Sequence, residues 1–378
     1  LSTRKAAFIH SEEIEKYSYP EDCPFKSQRA GQVRKTLDTM GLLSGEGIRE
    51  VPPTAADRMA VKKFHSPRYL HALKNASKGK WTPEALHMGI GQEDTPLFFG
   101  MYDYALLATG ATLTGAKLIL AGEANVAFNP SGGYHHAFPE KAAGFCYIND
   151  NVIASMTLTE AGKRVLYLDV DVHHGDGVAH AFYQRPDVMT ISFHENPKML
   201  YPGTGFEDEI GDGPGRGYCV NLPIPVGTFD RAYLHAFDEI AMPLIKAYAP
   251  DVIVFELGAD TLSGDPLAHL QLTNNAYVDM INRLLSFAVP ILMTGGGGYH
   301  FDNAVRAWAL AWTVLSGQDV AGGLEAAVGG VMLESTDWQG GLRDRELAVS
   351  DQQRQQVLPV LDASIEMIKA KVFPIHGL

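Results

Sequence analysis

The chain has 378 residues, 46% hydrophobic, 10% aromatic and 20% charged, and its 44 acidic side chains against 31 basic ones give a formal charge of −13. That apolar content excludes a disordered tail, and no apolar run approaches the roughly 18–20 residues of a membrane span. The carboxylate surplus excludes a protein that holds nucleic acid directly by neutralising phosphates, yet suits a cationic substrate.

Taken in chain order, near-continuous runs of Val, Ile, Leu and Phe predict strands at 6–10, 125–128, 165–171, 188–193, 219–222, 252–257 and 291–294. Stretches of helical length lie at 102–120, 149–161, 233–249, 273–287 and 304–316. The alternation predicts an α/β fold with a mainly parallel sheet. No repeat, low-complexity tract or linker divides the chain, so one domain over 1–378 is expected. Gly322-Gly323, Gly329-Gly330 and Gly340-Gly341 punctuate a less regular tail, 321–378, expected to pack on the same domain through a helix over 351–371. Three widely spaced cysteines, Cys23, Cys146 and Cys219, make no disulfide framework, and the first residues run into charge too soon for a secretory signal. A reducing cytoplasm fits both.

Ligands of such sheets bind beyond the carboxyl ends of the strands, and the polar clusters of this chain fall there. The strand over 165–171 leads into Asp169-Val170-Asp171-Val172-His173. Side chains alternate along a strand, so Asp169, Asp171 and His173 are expected on one face. Two carboxylates and an imidazole in an apolar strand are costly to bury unless paired or metal-bound. The alternative is a salt-bridged surface strand end, against which His174, Asp176 and their glycines follow at once. Asp260, beyond the strand over 252–257, would complete a set of two carboxylates and one imidazole with a position left for water, the pattern of a catalytic zinc site. Such donors also accept Fe(II), Co(II) or Mn(II). Read alone, Asp260 serves equally well as the N-cap of a helix over 261–267.

His135-His136 follows a predicted strand and a Gly-Gly turn. A lone histidine pair on a loop is more often polar surface, but Asp169 and Asp176 offer it two carboxylates. A histidine held by a carboxylate is fixed in tautomer and raised in basicity, as a general base acting on a metal-activated water requires. Gly295–Gly298 lacks the Lys-Ser/Thr of a phosphate loop and instead delivers the Tyr299 hydroxyl toward the strand ends, where it can donate to a developing oxyanion. The bland reading of Tyr299 is a buried aromatic behind a flexible turn. Tyr134, Phe145, Phe193, Tyr201 and Leu267 would line a narrow channel, with Gly144 and Gly203 leaving room for an extended chain.

These motifs resemble one family, the zinc-dependent histone deacetylases and their bacterial relatives, including the acetoin-utilisation deacetylases and histone deacetylase-like amidohydrolases. The resemblance runs from Tyr19-Pro20 and Arg29 through Phe64–Leu70, Gly132–His136, Gly144–Asn149, Asp169–Gly177, Pro202–Gly205 and Gly258–Pro266 to Gly295–Tyr299 and Arg306-Ala307-Trp308, about residues 5–320 in the family's order. It implies the arginase–deacetylase fold, with a central sheet of about eight strands, and zinc held by Asp171, His173 and Asp260. His136 with Asp176 matches the general base and acid, His135 with Asp169 the electrostatic partner, and Tyr299 the group that polarises the substrate carbonyl. Asp94 matches a rim aspartate that grips the substrate backbone, and the Gly144 carbonyl an acceptor for the scissile amide N–H. Two structural sites for K+ or Na+ are implied, an inner one at Asp169, Asp171, His173, Ser192 and Phe193, and an outer one at Phe182, Arg185, Val188 and Tyr218.

The implied reaction is hydrolysis of acyl-lysine amides in proteins or peptides. Leu200-Tyr201 stands where many members have Phe-Phe, and Tyr134 holds a variable position, so the preferred acyl group is open. The first alternative is an amidohydrolase acting on acetylpolyamines or another small amide. A binuclear manganese ureohydrolase needs a second Asp two positions beyond Asp260, where this chain has Leu262. A silent acyl-lysine reader would have lost a zinc ligand, His136 or Tyr299, and all are present.

Overall fold

The computed structural model describes residues 4–318 and 341–378. Eight strands form one sheet: β1 (Ala6–Ile9), β2 (Ile48–Val51), β3 (Val126–Asn129), β4 (Val165–Asp169), β5 (Val188–Glu195), β6 (Cys219–Ile224), β7 (Val252–Glu256) and β8 (Ile291–Thr294). Their order is β2-β1-β3-β8-β7-β4-β5-β6, and every pairing is parallel. The seven strands expected from apolar runs are all present. The eighth, β2, reads Ile-Arg-Glu-Val and sits half-exposed at the edge, where charged side chains guard against further pairing.

Side chains alternate into two layers. Val165 and Tyr167 of β4 pack with the helices Met101–Leu120, Asp150–Glu160 and Asp176–Phe182, while Leu166 and Leu168 face the core built on Asn274–Leu285 and Phe301–Ser316. The helix expected over 233–249 is continuous but opens into a wide π turn at Phe237–Ala241, just before Pro243. A proline without an N–H is accommodated there because the ladder is already shifted. The C-terminal helix Asp351–Val372 starts on the Ser350 side-chain cap and buries Val357, Leu361, Ile365, Ile368 and Val372 in the second core. The glycine pairs at 322–323 and 329–330, with Gly340, lie outside the described residues.

The four central strands β3, β8, β7 and β4 end side by side. A third apolar cluster, rich in aromatics (Tyr19, Phe25, Tyr69, Tyr104, Tyr147), closes over that carboxyl end and walls the site.

Candidate active site and metal centre

β4 ends at Asp169, two residues short of the expected 171. The Asp169 carboxylate accepts the Asp171 N–H (3.0 Å) and the Asp171 carboxylate accepts the His173 N–H (2.9 Å), so side chains capture backbone donors that a ladder would otherwise use. Asp171, His173 and Asp260 still converge, with ligand atoms all within 4.8 Å of one another. Asp171 Oδ2 is fixed by the Gly297 N–H (2.6 Å) and Asp260 Oδ1 by the Val172 N–H (2.9 Å). No helix follows Asp260, which removes its reading as an N-cap.

His173 Nδ1 lies 3.2 Å from Asp171 Oδ1 and 3.1 Å from Asp260 Oδ2. Burial alone would lower the His173 pKa, but these two carboxylates lift it to about 10. Burial, with Asp171 beside it, raises Asp260 to about 7, whereas Asp171 is held well below the usual range despite burial by His135 and His173. Two buried carboxylates around one imidazole create a demand for positive charge that a divalent cation meets. The glycine run makes that packing possible: a Cβ on Gly297 would lie 1.9 Å from Asp260 Oδ2.

Beside this cluster, His135 Nδ1 meets Asp169 Oδ2 at 2.9 Å and His136 Nδ1 meets Asp176 Oδ1 at 2.7 Å. With both Nδ1 atoms engaged, the two Nε2 atoms face inward, 2.9 Å apart, and His135 Nε2 is 3.9 Å from Asp171 Oδ1. Their environments differ. For His135 burial is outweighed by the Glu256, Asp169 and Asp171 carboxylates, which raise its pKa well above 6.5. For His136, burial and the neighbouring His135 charge lower it to about 4, against the pull of Asp176. Adjacent groups pushed apart in this way divide into a charged partner and a free base.

A cavity of about 280 Å³ opens onto these groups. Phe145, Leu200, Tyr201 and Leu267 form apolar walls, His136, His173 and Tyr299 face into it, and Asp94 and Gly144 complete the lining. Gly144 and Phe145 both adopt left-handed backbone, φ 51° and 65°. Strain of this kind in a non-glycine residue costs on the order of 1–3 kcal/mol and persists where surrounding bonds fix it. Here Asp94 Oδ2 accepts the Gly144 N–H (2.7 Å), the Asp94 carbonyl accepts the Phe145 N–H (2.7 Å), and the Tyr19 hydroxyl donates to the Phe145 carbonyl (2.7 Å). A Cβ at Gly144 would strike the His136 ring at 2.3 Å. Tyr299 sits with its ring 6.2 Å from that of His173, its backbone N–H held by Asp265 Oδ2 (2.7 Å). Burial and the Asp260 and Asp171 charges raise its phenol well above 10, so it stays a donor.

Two residues expected on the channel lie elsewhere. Tyr134 is buried behind the wall, its hydroxyl 2.5 Å from that of Tyr104, because its side chain points away from the histidines that follow it. Phe193 on β5 packs against Tyr233 and Phe237 in the core, one strand beyond β4. Ser192 lies in register with Asp169, its hydroxyl 2.9 Å from His194 Nδ1. Of the outer cation set, Phe182 ends a helix, Val188 opens β5, Tyr218 precedes β6, and the Arg185 guanidinium lies over the Phe182 ring (5.3 Å) and pairs with Asp187.

The sequence reading missed Glu256, Tyr167 and Asp265, and gave Arg29 no role. Arg29 donates to the Gly296 and Gly298 carbonyls and so holds the glycine run. Glu256 is a single carboxylate at the end of an otherwise apolar β7, a signal the sequence did carry. Burial raises its pKa well above the usual carboxylate range.

The histone deacetylase domain family matches residues 23–315. Histone deacetylase 8 of Xenopus tropicalis is 38% identical over 296 residues, covering 78% of this chain and 79% of the relative. The acetoin utilization protein AcuC of Bacillus subtilis is 38% identical over 324 residues, covering 84% and 83%. The crystal structure of an HDAC homolog from Aquifex aeolicus superposes with a TM-score of 0.84 at 32% identity, covering 96% of this chain and 100% of that one. An HDAC homolog complexed with SAHA gives a TM-score of 0.86, also at 32% identity, covering 97% and 100%. The fold is therefore the arginase–deacetylase fold, and the chain belongs to the histone deacetylase family of hydrolytic deacetylases.

Proposed function

We propose that this protein hydrolyses acyl-lysine amides in proteins or peptides, acetyl-lysine first, with a divalent cation, zinc by preference, held by Asp171, His173 and Asp260. The observation that carries the reading is the facing pair of His135 and His136, their Nε2 atoms 2.9 Å apart and each Nδ1 held by a carboxylate, set against that ligand cluster on an apolar-walled cavity. When bound, the cation would polarise the amide carbonyl and acidify an adjacent water.

The chain's own groups do the rest. Phe145 and Tyr201 flank the lysine stem, Asp94 meets the substrate backbone, and the Gly144 carbonyl, which takes the Cys146 thiol at 3.2 Å, accepts the amide N–H with its second lone pair. His136 Nε2 removes a proton from the attacking water, with Asp176 fixing its tautomer. Protonated His135 lends positive charge, and the Tyr299 hydroxyl donates to the oxyanion. His136 then passes its proton to the departing amine, which frees lysine and a carboxylate.

The two monovalent-cation sites at the end of β4 and around Phe182 and Tyr218 are part of the same proposal, as is a reducing cytoplasm, which the three free buried cysteines suit. Among the described residues no helix is long and apolar enough to cross a membrane. The test is a panel of acyl-lysine peptides and acetylpolyamines on protein of defined metal content, compared by kcat/KM. A higher value for acetyl-lysine peptide supports the reading, and a higher value for acetylspermidine replaces it with the polyamine alternative.

A further inference from the structure

Glu256 is fully buried, and neither the ligand cluster nor the proposed reaction uses it. Sheet register places it across from Asp169 of β4 on one side and Thr294 of β8 on the other. Its Oε2 accepts the Tyr167 hydroxyl at 2.6 Å and the Asn151 side-chain amide, and its Oε1 lies 3.2 Å from His135 Nδ1. The same Tyr167 hydroxyl is 2.6 Å from Asp169 Oδ2, the atom that holds His135. The Thr294 hydroxyl donates to Asn151 Oδ1, the side-chain amide oxygen, at 3.3 Å. A run of polar contacts thus crosses the carboxyl edge of the sheet from β8 through Glu256 and Tyr167 to the Asp169–His135 pair, with every member buried.

A valine or leucine would continue the apolar run of β7 at no desolvation cost. A carboxyl group there is costly unless its hydrogen bonds return something, and what they fix is Tyr167, shared between two carboxylates. We propose that Glu256 is a positioning residue for His135, acting through Tyr167 and Asp169 to hold the imidazole at the cavity. Loss of its side chain leaves the Asn151 amide without its acceptor and the Tyr167 hydroxyl with one carboxylate in place of two. The inference rests on the reading of Asp169–His135 as a working dyad.

The test uses metal-loaded Glu256→Gln, Glu256→Ala, Tyr167→Phe and His135→Ala, and the Glu256→Ala/His135→Ala double variant, assayed on an acetyl-lysine peptide with metal content and Tm measured alongside. Glu256→Ala and Tyr167→Phe are expected to lower kcat about tenfold or more at unchanged KM and metal content. Glu256→Gln, which keeps size and polar partners, should stay within about threefold of wild type by the same measure. In the double variant the Glu256→Ala loss should vanish, since both changes remove one interaction. An unchanged kcat in Glu256→Ala, a loss that adds in full to that of His135→Ala, or a Glu256→Gln as impaired as Glu256→Ala overturns the proposal. An unchanged kcat in His135→Ala overturns the dyad reading itself, and the proposal with it. If Glu256→Ala does not fold, Tyr167→Phe, which leaves the carboxyl in place, decides by its own kcat and by its coupling to His135→Ala.

Discussion

His135 and His136 face each other Nε2 to Nε2 across 2.9 Å, yet one imidazole is driven toward charge and the other away from it. Such a contact needs one donor and one acceptor. Three carboxylates around His135 make it the donor, and the charge so created keeps His136 neutral; its single Nε2 lone pair accepts the His135 N–H and must leave that bond to take a proton from water.

His136→Ala is therefore expected to lower kcat by about 10²–10⁴ while leaving bound metal unchanged. In the wild type the acid limb of kcat/KM should lie no higher than about pH 4, since only neutral His136 accepts a proton and its pKa is lowered to about 4. Above that limb His136 stays neutral, and the rate falls as pH drops through it. Asp176→Asn removes a group that raises the His136 pKa, and so should move the limb lower still. A pH–rate profile from 3.5 to 8 checks this, and a limb near 6.5 would show an unperturbed base.

Tyr299→Phe should cost about 10²–10³ in kcat with little change in KM, as loss of one oxyanion donor does. Asp265 grips the Tyr299 and His300 N–H groups with one oxygen. Asp265→Ala should lose part of that rate and Asp265→Asn less, because an amide oxygen still accepts both bonds. Steady-state kinetics on one acetyl-lysine peptide orders the three.

Much of this site was legible because its residues break an apolar pattern: Asp169 at the end of β4, Asp171 and His173 just past it and Asp260 beyond β7 are expensive anywhere but around a cation or a partner. What escaped the sequence escaped for physical reasons. β2 carries Arg49 and Glu50 at its centre because it is an edge strand, so it lacks the signature of a buried one. Tyr134 and Phe193 looked like channel walls because adjacency in sequence does not say which way a ring points, and both point into packed layers. The strand end at Asp169 was set by carboxylates bonding their own backbone, a local competition that alternation cannot see.

Gly297→Ala tests the close approach behind the metal cluster. A methyl group 1.9 Å from Asp260 Oδ2 must displace that carboxylate, so bound divalent metal should fall at least about tenfold, with an overpacking cost of roughly 1–3 kcal/mol. Elemental analysis after dialysis and thermal unfolding with and without added zinc give both values. Zinc should raise the wild-type Tm and raise that of the variant far less, since stabilisation scales with affinity for the folded state.

Acid should destabilise the fold through a buried histidine outside the ligand cluster and both dyads. His65 is buried with Nε2 accepting the Asn149 N–H at 3.0 Å, and burial lowers its pKa from 6.5 to about 3. The unfolded chain binds the proton that the folded chain refuses, so this contribution is complete above pH 6.5 and is lost as pH falls from 6.5 toward 3. The limiting loss is on the order of 5 kcal/mol. His136 and His194, both lowered to about 4 by burial, act in the same window. Urea unfolding across that range should show a slope that flattens by up to about 1.4 kcal/mol per pH unit in His65→Gln.

Metal-dependent hydrolysis of acyl-lysine is the central proposal. Metal-free protein titrated with zinc, while acetate and free lysine peptide are followed from an acetyl-lysine peptide, tests it most directly. Turnover that rises to a plateau at one zinc per chain, with the two products formed in equal amounts, is the predicted result. Full turnover in the chelated protein, or none on acetyl-lysine at any metal loading, would contradict it.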